Sequence, residues 1–154
     1  KGCVAIRYPY DEIHDDIKKI FEESPYDSGI SVYERNSDKA ILCYGRMVPI
    51  AVDVANNVQA DVIKITNIYP LDYLSLFEVL KKYKKVICAE DVIYSGSVGQ
   101  RLEAWLYKNG RNEFDTVCIN INEDCEMKGC VEDILDENML SMQALSKILL
   151  DEKA

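Results

Sequence analysis

Residues 40–58 read AILCYGRMVPIAVDVANNV: an apolar run, a glycine and then a second, periodic apolar pattern. The run at 40–44 is too short for a helix and predicts a strand buried on both faces, as in a parallel sheet. Gly45 suits the sharp turn that follows, because glycine adopts backbone angles that other residues avoid. Pro49 fits the first turn of a helix, and apolar residues recur behind it at helical spacing. The stretch predicts one β-α unit, which needs further units beside it.

Strands and helices alternate along the rest of the chain. Three more strands are predicted from largely apolar runs, at residues 61–68, 86–90 and 115–121. Residues 30–34 alternate apolar and polar side chains, which is typical of an edge strand. Ser141 is expected to cap the last helix. A helix over 70–83 has a basic exit that is expected to complement its dipole, formed by Lys81, Lys82, Lys84 and Lys85. These elements predict an α/β domain with helices on both faces of a mostly parallel sheet.

The composition excludes several classes of protein. The chain has 154 residues, of which 48% are hydrophobic, so one domain with a real core is expected and disorder is not. A formal charge of −9 argues against nucleic acid as a partner, because phosphate binding rests on clustered Lys and Arg. No apolar stretch approaches the ~18 residues of a membrane span. The chain begins with Lys1 and runs at once into an apolar segment, so we expect a fragment of a longer protein.

The first 29 residues differ in character from the rest. Residues 11–23 predict an amphipathic surface helix with an apolar stripe formed by Ile13, Ile17, Ile20 and Phe21. His14 lies beside that stripe and is expected to be non-catalytic, because no nucleophile or ligand set accompanies it. We therefore divide the chain into an interdomain linker with a surface helix, at 1–29, and an α/β domain at 30–154.

The six cysteines do not suggest a disulfide framework. Four lie in apolar strand-like runs and are expected to be buried, reduced and mostly inert: Cys3, Cys43, Cys88 and Cys118. Cys125 and Cys130 are spaced C-x4-C, but no second pair completes the four ligands of a structural zinc site. No metal site is predicted, and reduced thiols favour a cytoplasmic location.

Three places carry residues suited to chemistry. The loop at 94–99 (YSGSVG) precedes a helix, and backbone N–H groups around Gly96, Ser97 and Gly99 are a candidate anion site or interface loop. It matches neither a dinucleotide fingerprint nor a P-loop, and a tight turn for close packing is the simpler interpretation. Glu90 and Asp91 end a strand where open α/β sheets bind ligands, although acids at strand ends also cap the following turn. Both interpretations of this acidic pair stay open.

Arg7 is the third candidate. It ends an apolar run, and its guanidinium suits a phosphate or a carboxylate; a solvated arginine is the alternative. A single histidine supports no Ser-His-Asp or Cys-His arrangement, so no catalytic residue is predicted.

Several segments, in their order and spacing, resemble the C-terminal domain of transketolase-like enzymes. They are VAIRYP at 4–9, AILCYGRMVP at 40–49, PLD at 70–72, AED at 89–91 and the glycines at 96 and 99. Within these enzymes the Arg-Tyr-Pro run is most similar to the 1-deoxy-D-xylulose-5-phosphate synthases; transketolases and the beta subunits of 2-oxoacid dehydrogenases are the alternatives. The resemblance implies a three-layer α/β/α domain with a five-stranded mixed sheet, in which residues 30–34 form the antiparallel edge strand.

The resemblance also implies a function for the parent protein. Such a synthase uses thiamine diphosphate and Mg²⁺ to join pyruvate to glyceraldehyde 3-phosphate with loss of carbon dioxide, for isoprenoid precursor synthesis. The cofactor would bind in upstream domains of the same protein, with none in this domain. This transketolase C-terminal-like domain, 30–154, would support a homodimer and have no activity alone. Arg7 would meet the phosphate of the aldehyde.

The sequence departs from the family pattern at a few positions. Tyr10 and Asp11 follow the Arg-Tyr-Pro run, where the family commonly has Arg-Gly. Thr66 and Tyr69 stand where basic residues are common. Lys128-Gly129-Cys130 replaces a His-Gly-Ser/Thr run near the end. These differences affect the substrate assignment more than the fold.

Overall fold

The computed structural model describes residues 3, 15–21, 29–124 and 129–151. The described part of the chain contains five strands and six helices. In chain order they are α1 (Asp15–Phe21), β1 (Ile30–Tyr33), β2 (Lys39–Cys43), α2 (Met47–Val58), β3 (Asp61–Ile65), α3 (Tyr73–Leu80), β4 (Lys85–Ile93), α4 (Val98–Lys108), β5 (Asp115–Ile121), α5 (Val131–Glu137) and α6 (Met142–Leu150).

The strands form one mixed sheet in the order β1-β3-β2-β4-β5. The edge strand β1 is antiparallel to β3, and the other three pairings are parallel. The expected five-stranded mixed sheet with one antiparallel edge strand is therefore confirmed. The strand order reverses at β2, which has β3 on one side and β4 on the other. Ligands of open α/β sheets bind beside such a point, at the carboxyl ends of the strands.

Two apolar clusters lie on opposite faces of the sheet and make the domain three-layered. One cluster joins α1, α2, α5 and α6 to one face, and the other joins α3 and α4 to the opposite face. Successive residues of β2 alternate between them: Ile41 and Cys43 in the first cluster, Ala40 and Leu42 in the second. All four are at most 2% exposed. A strand buried on both faces explains the unbroken apolar run in the sequence.

Helices α3 and α6 begin at residues whose side chains cap them. The Ser141 hydroxyl accepts a hydrogen bond from the Ala144 N–H, and Asp72 caps α3 by accepting from the Ser75 N–H. Pro49 lies in the first turn of α2. Each cap satisfies an N–H group that has no partner within its own helix. The prediction of Ser141 as the cap of the last helix is confirmed.

The predicted surface helix is described from Asp15 to Phe21, and the rest of residues 11–23, with His14, lies outside the described residues. Phe21 is 5% exposed and belongs to the first apolar cluster, where Ile17 and Ile20 also pack. The apolar stripe of α1 thus contacts the same core as α2.

Two lysines lie at the amino ends of the parallel strands, here called the amino edge of the sheet, and one of them corrects a sequence prediction. The sequence predicts Lys85 as one of the lysines at the C-terminal end of α3. It lies instead in β4, is 9% exposed and contacts the end of α6. Its ammonium group donates to the carbonyls of Ile148 and Asp151, at the end of α6. Lys39, its partner in β2, donates to the Leu149 carbonyl. These cations match the negative end of the α6 dipole.

Two further expectations were wrong. β3 ends at Ile65 rather than continuing to residue 68, because the chain turns away after the Thr66 N–H donates to the Gly29 carbonyl. Cys3 is exposed and Cys118 is only partly buried, whereas both were expected in the core. Cys118 lies on β5, an edge strand, which explains its partial exposure.

Candidate functional site

The carboxyl ends of the parallel strands are here called the carboxyl edge of the sheet. Beside β2, where the strand order changes direction, this edge brings together residues from the ends of β2 and β4 and from α4. Cys43 pairs with Ala89, so the next residues along the two strands, Tyr44 and Glu90, follow side by side. The Tyr44 hydroxyl donates to Glu90 Oε2 over 3.0 Å. Burial first, and then the charge of Glu90, raise the pKa of Tyr44, so the phenol is the protonated partner of the pair. The sequence placed Glu90 and Asp91 at this edge as the end of the strand, but β4 continues past them to Ile93 after an irregularity in its pairing with β5.

The carboxylate of Glu90 closes the N-terminus of α4. It is 2% exposed. Its Oε2 accepts from the Val98 N–H at 2.8 Å and its Oε1 from the Gly99 N–H at 2.7 Å. Both N–H groups belong to the first turn of the helix, whose dipole favours a negative charge at that end. The backbone donors that the sequence offers to an external anion therefore bind an anion from the same chain.

The loop before α4 is a tight turn held by local hydrogen bonds. Ser97 is 4% exposed and its hydroxyl accepts from the Gln100 N–H, while the Gly96 N–H donates to Gln100 Oε1. Gly96 has a φ of +82°, which side-chain-bearing residues rarely adopt. Ser97 and Gly99 thus lie with Glu90, whereas Gly96 lies on the exposed outer turn and Asp91 is partly exposed.

Gly99 allows the helix to approach the sheet closely. A Cβ atom at this position would lie 2.6 Å from Cys118 Sγ, 3.0 Å from Glu90 Oε1 and 3.2 Å from Cys88 Cβ. The first distance is shorter than real Cβ contacts and the other two are tight, so a residue larger than glycine would require its neighbours to shift. The close-packing interpretation of this loop has direct geometric support.

Arg101 is a residue of this edge that the sequence did not single out. Its Nε donates to the Ser97 carbonyl at 3.3 Å and its Nη2 to the Ile68 carbonyl at 3.1 Å, which joins α4 to the loop after β3. Its position four residues after the Ser97 cap is the only sequence signal that pointed to it. Nearby, the Tyr94 hydroxyl donates to Glu103, which raises the pKa of Tyr94 to about 12.

The described residues do not fit a metal ion or a diphosphate. They contain no group of three or more His, Cys, Asp and Glu side chains arranged to hold a metal. The Val98 and Gly99 N–H groups are bonded to Glu90, so they offer no cradle for a phosphate. Arg7 lies outside the described residues, as do Tyr10, Asp11 and Lys128. None of the helices in the described ranges is long and apolar enough to span a membrane.

Residues 30–141 match the family model described as the transketolase C-terminal domain. The chain belongs to the transketolase C-terminal domain family. The match begins at the first residue of β1 and ends at the cap of α6. The resemblance noted in the sequence is thus confirmed.

Curated relatives carry one enzyme name. The 1-deoxy-D-xylulose-5-phosphate synthase of Halalkalibacterium halodurans is 26% identical over 158 residues, which cover 96% of this chain and 25% of the relative. The synthase of Campylobacter hominis is 26% identical over 99% of this chain and 26% of its own length. That of Mycobacterium avium is 28% identical over 78% of this chain and 20% of its own length. The chain spans about a quarter of the length of the curated relatives it matches.

A solved structure shares the fold. The chain described as "Split gene transketolase, inactive beta4 tetramer" superposes with a TM-score of 0.68 and 19% identity, over 78% of this chain and 40% of that one. At this identity the likeness shows the fold alone. It confirms the three-layer α/β architecture.

Proposed function

We propose that this chain is the C-terminal domain of a 1-deoxy-D-xylulose-5-phosphate synthase, which joins pyruvate to glyceraldehyde 3-phosphate with loss of carbon dioxide. The observation that carries the proposal is the extent of the alignment. The synthase of H. halodurans matches 96% of the chain, whereas the family model begins at residue 30. A match of that extent includes most of residues 1–29, where the Arg-Tyr-Pro run lies. That run favours the synthase over a transketolase or a 2-oxoacid dehydrogenase beta subunit.

The proposed role of the domain is to pack against the other domains of the parent protein and to support its dimer, not to catalyse a reaction. The buried carboxylate of Glu90 at the carboxyl edge is hydrogen-bonded to the start of α4 and to Tyr44. Thiamine diphosphate and Mg²⁺ are proposed to bind upstream domains of the parent protein, in a cytoplasmic homodimer. The cofactor supplies the carbanion chemistry when bound there. We assign no step of that chemistry to the described residues.

The full-length parent protein tests the enzyme assignment. With thiamine diphosphate, Mg²⁺ and pyruvate labelled at its carboxyl carbon, we expect labelled carbon dioxide whose release depends on glyceraldehyde 3-phosphate. Transfer of a two-carbon unit from a ketose phosphate without carbon dioxide would instead assign a transketolase. Acyl transfer to a lipoyl group would assign a 2-oxoacid dehydrogenase.

The 154-residue chain tests where the cofactor binds. Calorimetric titration of the chain with thiamine diphosphate and Mg²⁺ is expected to show no saturable binding at micromolar concentrations. Its net charge of −9 is unfavourable to anions, and the N–H groups at the start of α4 are bonded to Glu90. Micromolar binding to the chain alone would refute the upstream assignment.

Arg7 is proposed to hold the phosphate of the aldehyde, since a guanidinium matches phosphate oxygens and stays charged at working pH. In the full-length enzyme, Arg7→Ala is expected to lose roughly 1.5–3 kcal/mol of transition-state stabilisation. That corresponds to about tenfold to somewhat over a hundredfold in kcat/KM for glyceraldehyde 3-phosphate. Thiamine diphosphate affinity is expected to stay unchanged.

The preference for glyceraldehyde 3-phosphate over plain glyceraldehyde decides between the two roles of Arg7. The preference falls if Arg7 holds the phosphate, and an unchanged ratio with a lower melting temperature assigns the arginine to the interdomain joint. Arg111→Ala is the matched control, because that guanidinium packs over the Phe77 ring at 4.7 Å. Its loss is expected to leave the ratio unaltered.

A further inference from the structure

Cys88 and Cys118 lie opposite each other on adjacent strands. They are register partners in the parallel pairing of β4 with β5. Both side chains point to the face that carries α3 and α4, since both belong to its apolar cluster. Neighbouring strands are about 4.8 Å apart, which is within the range of about 4.4–6.8 Å that disulfides span between Cα atoms. The backbone already holds the two residues at a bonding separation.

The two thiols contact each other, and among the described residues no other metal-binding side chain joins them in a metal site. A hydrogen bond with Cys118, followed by burial, raises the pKa of Cys88 well above its ordinary value. The described residues contain no group of three or more metal-binding side chains, so the pair does not belong to such a site. Gly99 lies directly over it, with its Cβ position 2.6 Å from Cys118 Sγ. The pair is thus confined between β4, β5 and the first turn of α4.

The two cysteines differ in access. Cys88 is 1% exposed on an interior strand, whereas Cys118 is partly exposed on the edge strand β5. Cys118 is therefore the more accessible of the two residues to a reagent. Cys43, which is buried like Cys88, faces the opposite apolar cluster and takes no part.

We propose that Cys88 and Cys118 form a redox-sensitive dithiol that an external disulfide, such as glutathione disulfide, converts to an intrachain disulfide. The Cys118 thiolate attacks one sulfur of the oxidant and forms a mixed disulfide with it, while the other sulfur leaves and takes up a proton to become a thiol. Cys88, losing its own proton, then attacks Cys118 Sγ of the mixed disulfide and releases the second thiol. Two protein thiols are oxidised and one external disulfide is reduced to two thiols.

The modification has a structural consequence at the carboxyl edge. Disulfide formation draws Cys118 Sγ toward Cys88 and away from its contact with Gly99, whose N–H is bonded to Glu90. The start of α4 therefore loses packing contacts when the pair is oxidised. Under this proposal, the expectation of a mostly inert thiol applies to the buried Cys43.

The test is made on the purified chain with glutathione disulfide as the oxidant. After incubation, free thiols are blocked with N-ethylmaleimide and the digested chain is mapped by mass spectrometry. The expected result is a peptide pair linked through Cys88 and Cys118, with the loss of two alkylatable thiols. Cys43→Ser is expected to leave the link intact. Cys88→Ser is expected to abolish it and to retain glutathione on Cys118.

Two results would overturn the proposal. One is that Cys88 and Cys118 are both alkylated while the exposed Cys3 and Cys130 carry glutathione. The other is that the link forms only in urea, which would place the pair out of reach in the folded state. Mapping of the unsubstituted chain needs no variant, so the proposal stays testable even if a serine variant fails to fold.

Discussion

The two edges of the sheet each use buried charge to close a helix, but with opposite signs and different partners. At the carboxyl edge, Glu90 accepts two N–H groups at the start of α4. At the amino edge, Lys85 and Lys39 donate to carbonyls at the end of α6. In each arrangement the charge interacts favourably with the helix dipole and satisfies backbone groups that have no partner within the helix. The charged side chains at both edges therefore bind the ends of helices in the same domain.

The two edges differ in how far water can replace the hydrogen bonds of the charged side chain when that side chain is removed. Glu90 is 2% exposed and accepts a third hydrogen bond from Tyr44. If its carboxylate were removed, water could not reach the site to take over these hydrogen bonds. The lysines reach along apolar stems to carbonyls at the end of α6, and Lys39 is partly exposed. A charged residue at a strand end is thus no sign of a ligand site until its hydrogen bonds have been traced.

The largest effect is expected from Glu90→Ala. The substitution leaves the Val98 and Gly99 N–H groups and the Tyr44 hydroxyl without their acceptor in a buried place. We expect a loss of roughly 3–5 kcal/mol in the free energy of unfolding, measured by urea denaturation. The neighbouring Asp91→Ala is the control, expected to change stability by no more than about 0.5 kcal/mol. Equal losses in the two variants would mean that the edge does not depend on Glu90.

The amino edge is expected to be the more tolerant one. Lys85→Met keeps the apolar stem but removes two hydrogen bonds from a charged donor, and should cost roughly 1.5–3 kcal/mol. Lys39→Met removes one such bond from a partly exposed position and should cost less. Lys81→Met is the control, since Lys81 pairs with Glu78 on the surface. Amide hydrogen exchange in α6 locates the effect; if α6 keeps its protection in Lys85→Met, the lysine does not hold that helix.

Gly99→Ala is expected to show how tightly α4 meets the sheet. The added methyl overlaps Cys118 Sγ and crowds Glu90 Oε1, so we expect a loss of about 1–3 kcal/mol. Cys118→Ala removes the closest atom, and the double variant should lose less than the sum of the single ones. Strict additivity in thermal or urea unfolding would show that the sulfur contact is not the cause.

The smallest effect is expected at a surface pair near the amino edge. Lys84 Nζ lies 2.8 Å from Asp38 Oδ2, with the side chains 83% and 49% exposed. The hydrogen bond from Lys84 lowers the pKa of Asp38 from 3.8. Its stabilising contribution is therefore present above pH 3.8 and is lost as the pH falls through the folded-state pKa.

An NMR titration of the Asp38 carboxyl tests this last prediction. In Lys84→Met the pKa is expected to move back toward 3.8, and molar salt should reduce the difference between the two proteins. A pKa that does not respond to Lys84→Met would assign the shift to another group. The unfolding free energy near neutral pH should hardly differ between them, because exposed pairs contribute little.

Periodicity and caps in the sequence were enough for the central β-α unit. The run at 40–44 is buried on both faces, and Ser141 caps α6, so local pattern and final structure agree. Lys85 was misplaced because its partners lie more than sixty positions away along the chain. The role of Glu90 stayed undecided for the same reason, since its contact with Tyr44 exists only once β2 and β4 are neighbours. Short-range patterns predict elements, while strand order decides which side chains meet.

The antiparallel direction of β1 determines where the chain joins the sheet. Ile30 pairs with Ile65, so residue 29 lies at the carboxyl edge, whereas α6 ends at the amino edge beside Lys85. These two points are separated by about the length of a five-residue strand, roughly 17 Å, and by the three strand spacings between β1 and β4, roughly 14 Å. A circular permutant that joins residue 150 to residue 29 therefore needs a linker of at least about seven extended residues. A fluorescent reporter fused after Leu150 would lie at the opposite ends of the strands from Glu90, while one inserted just ahead of Ile30 would lie at the same ends as Glu90 but three strands away from it.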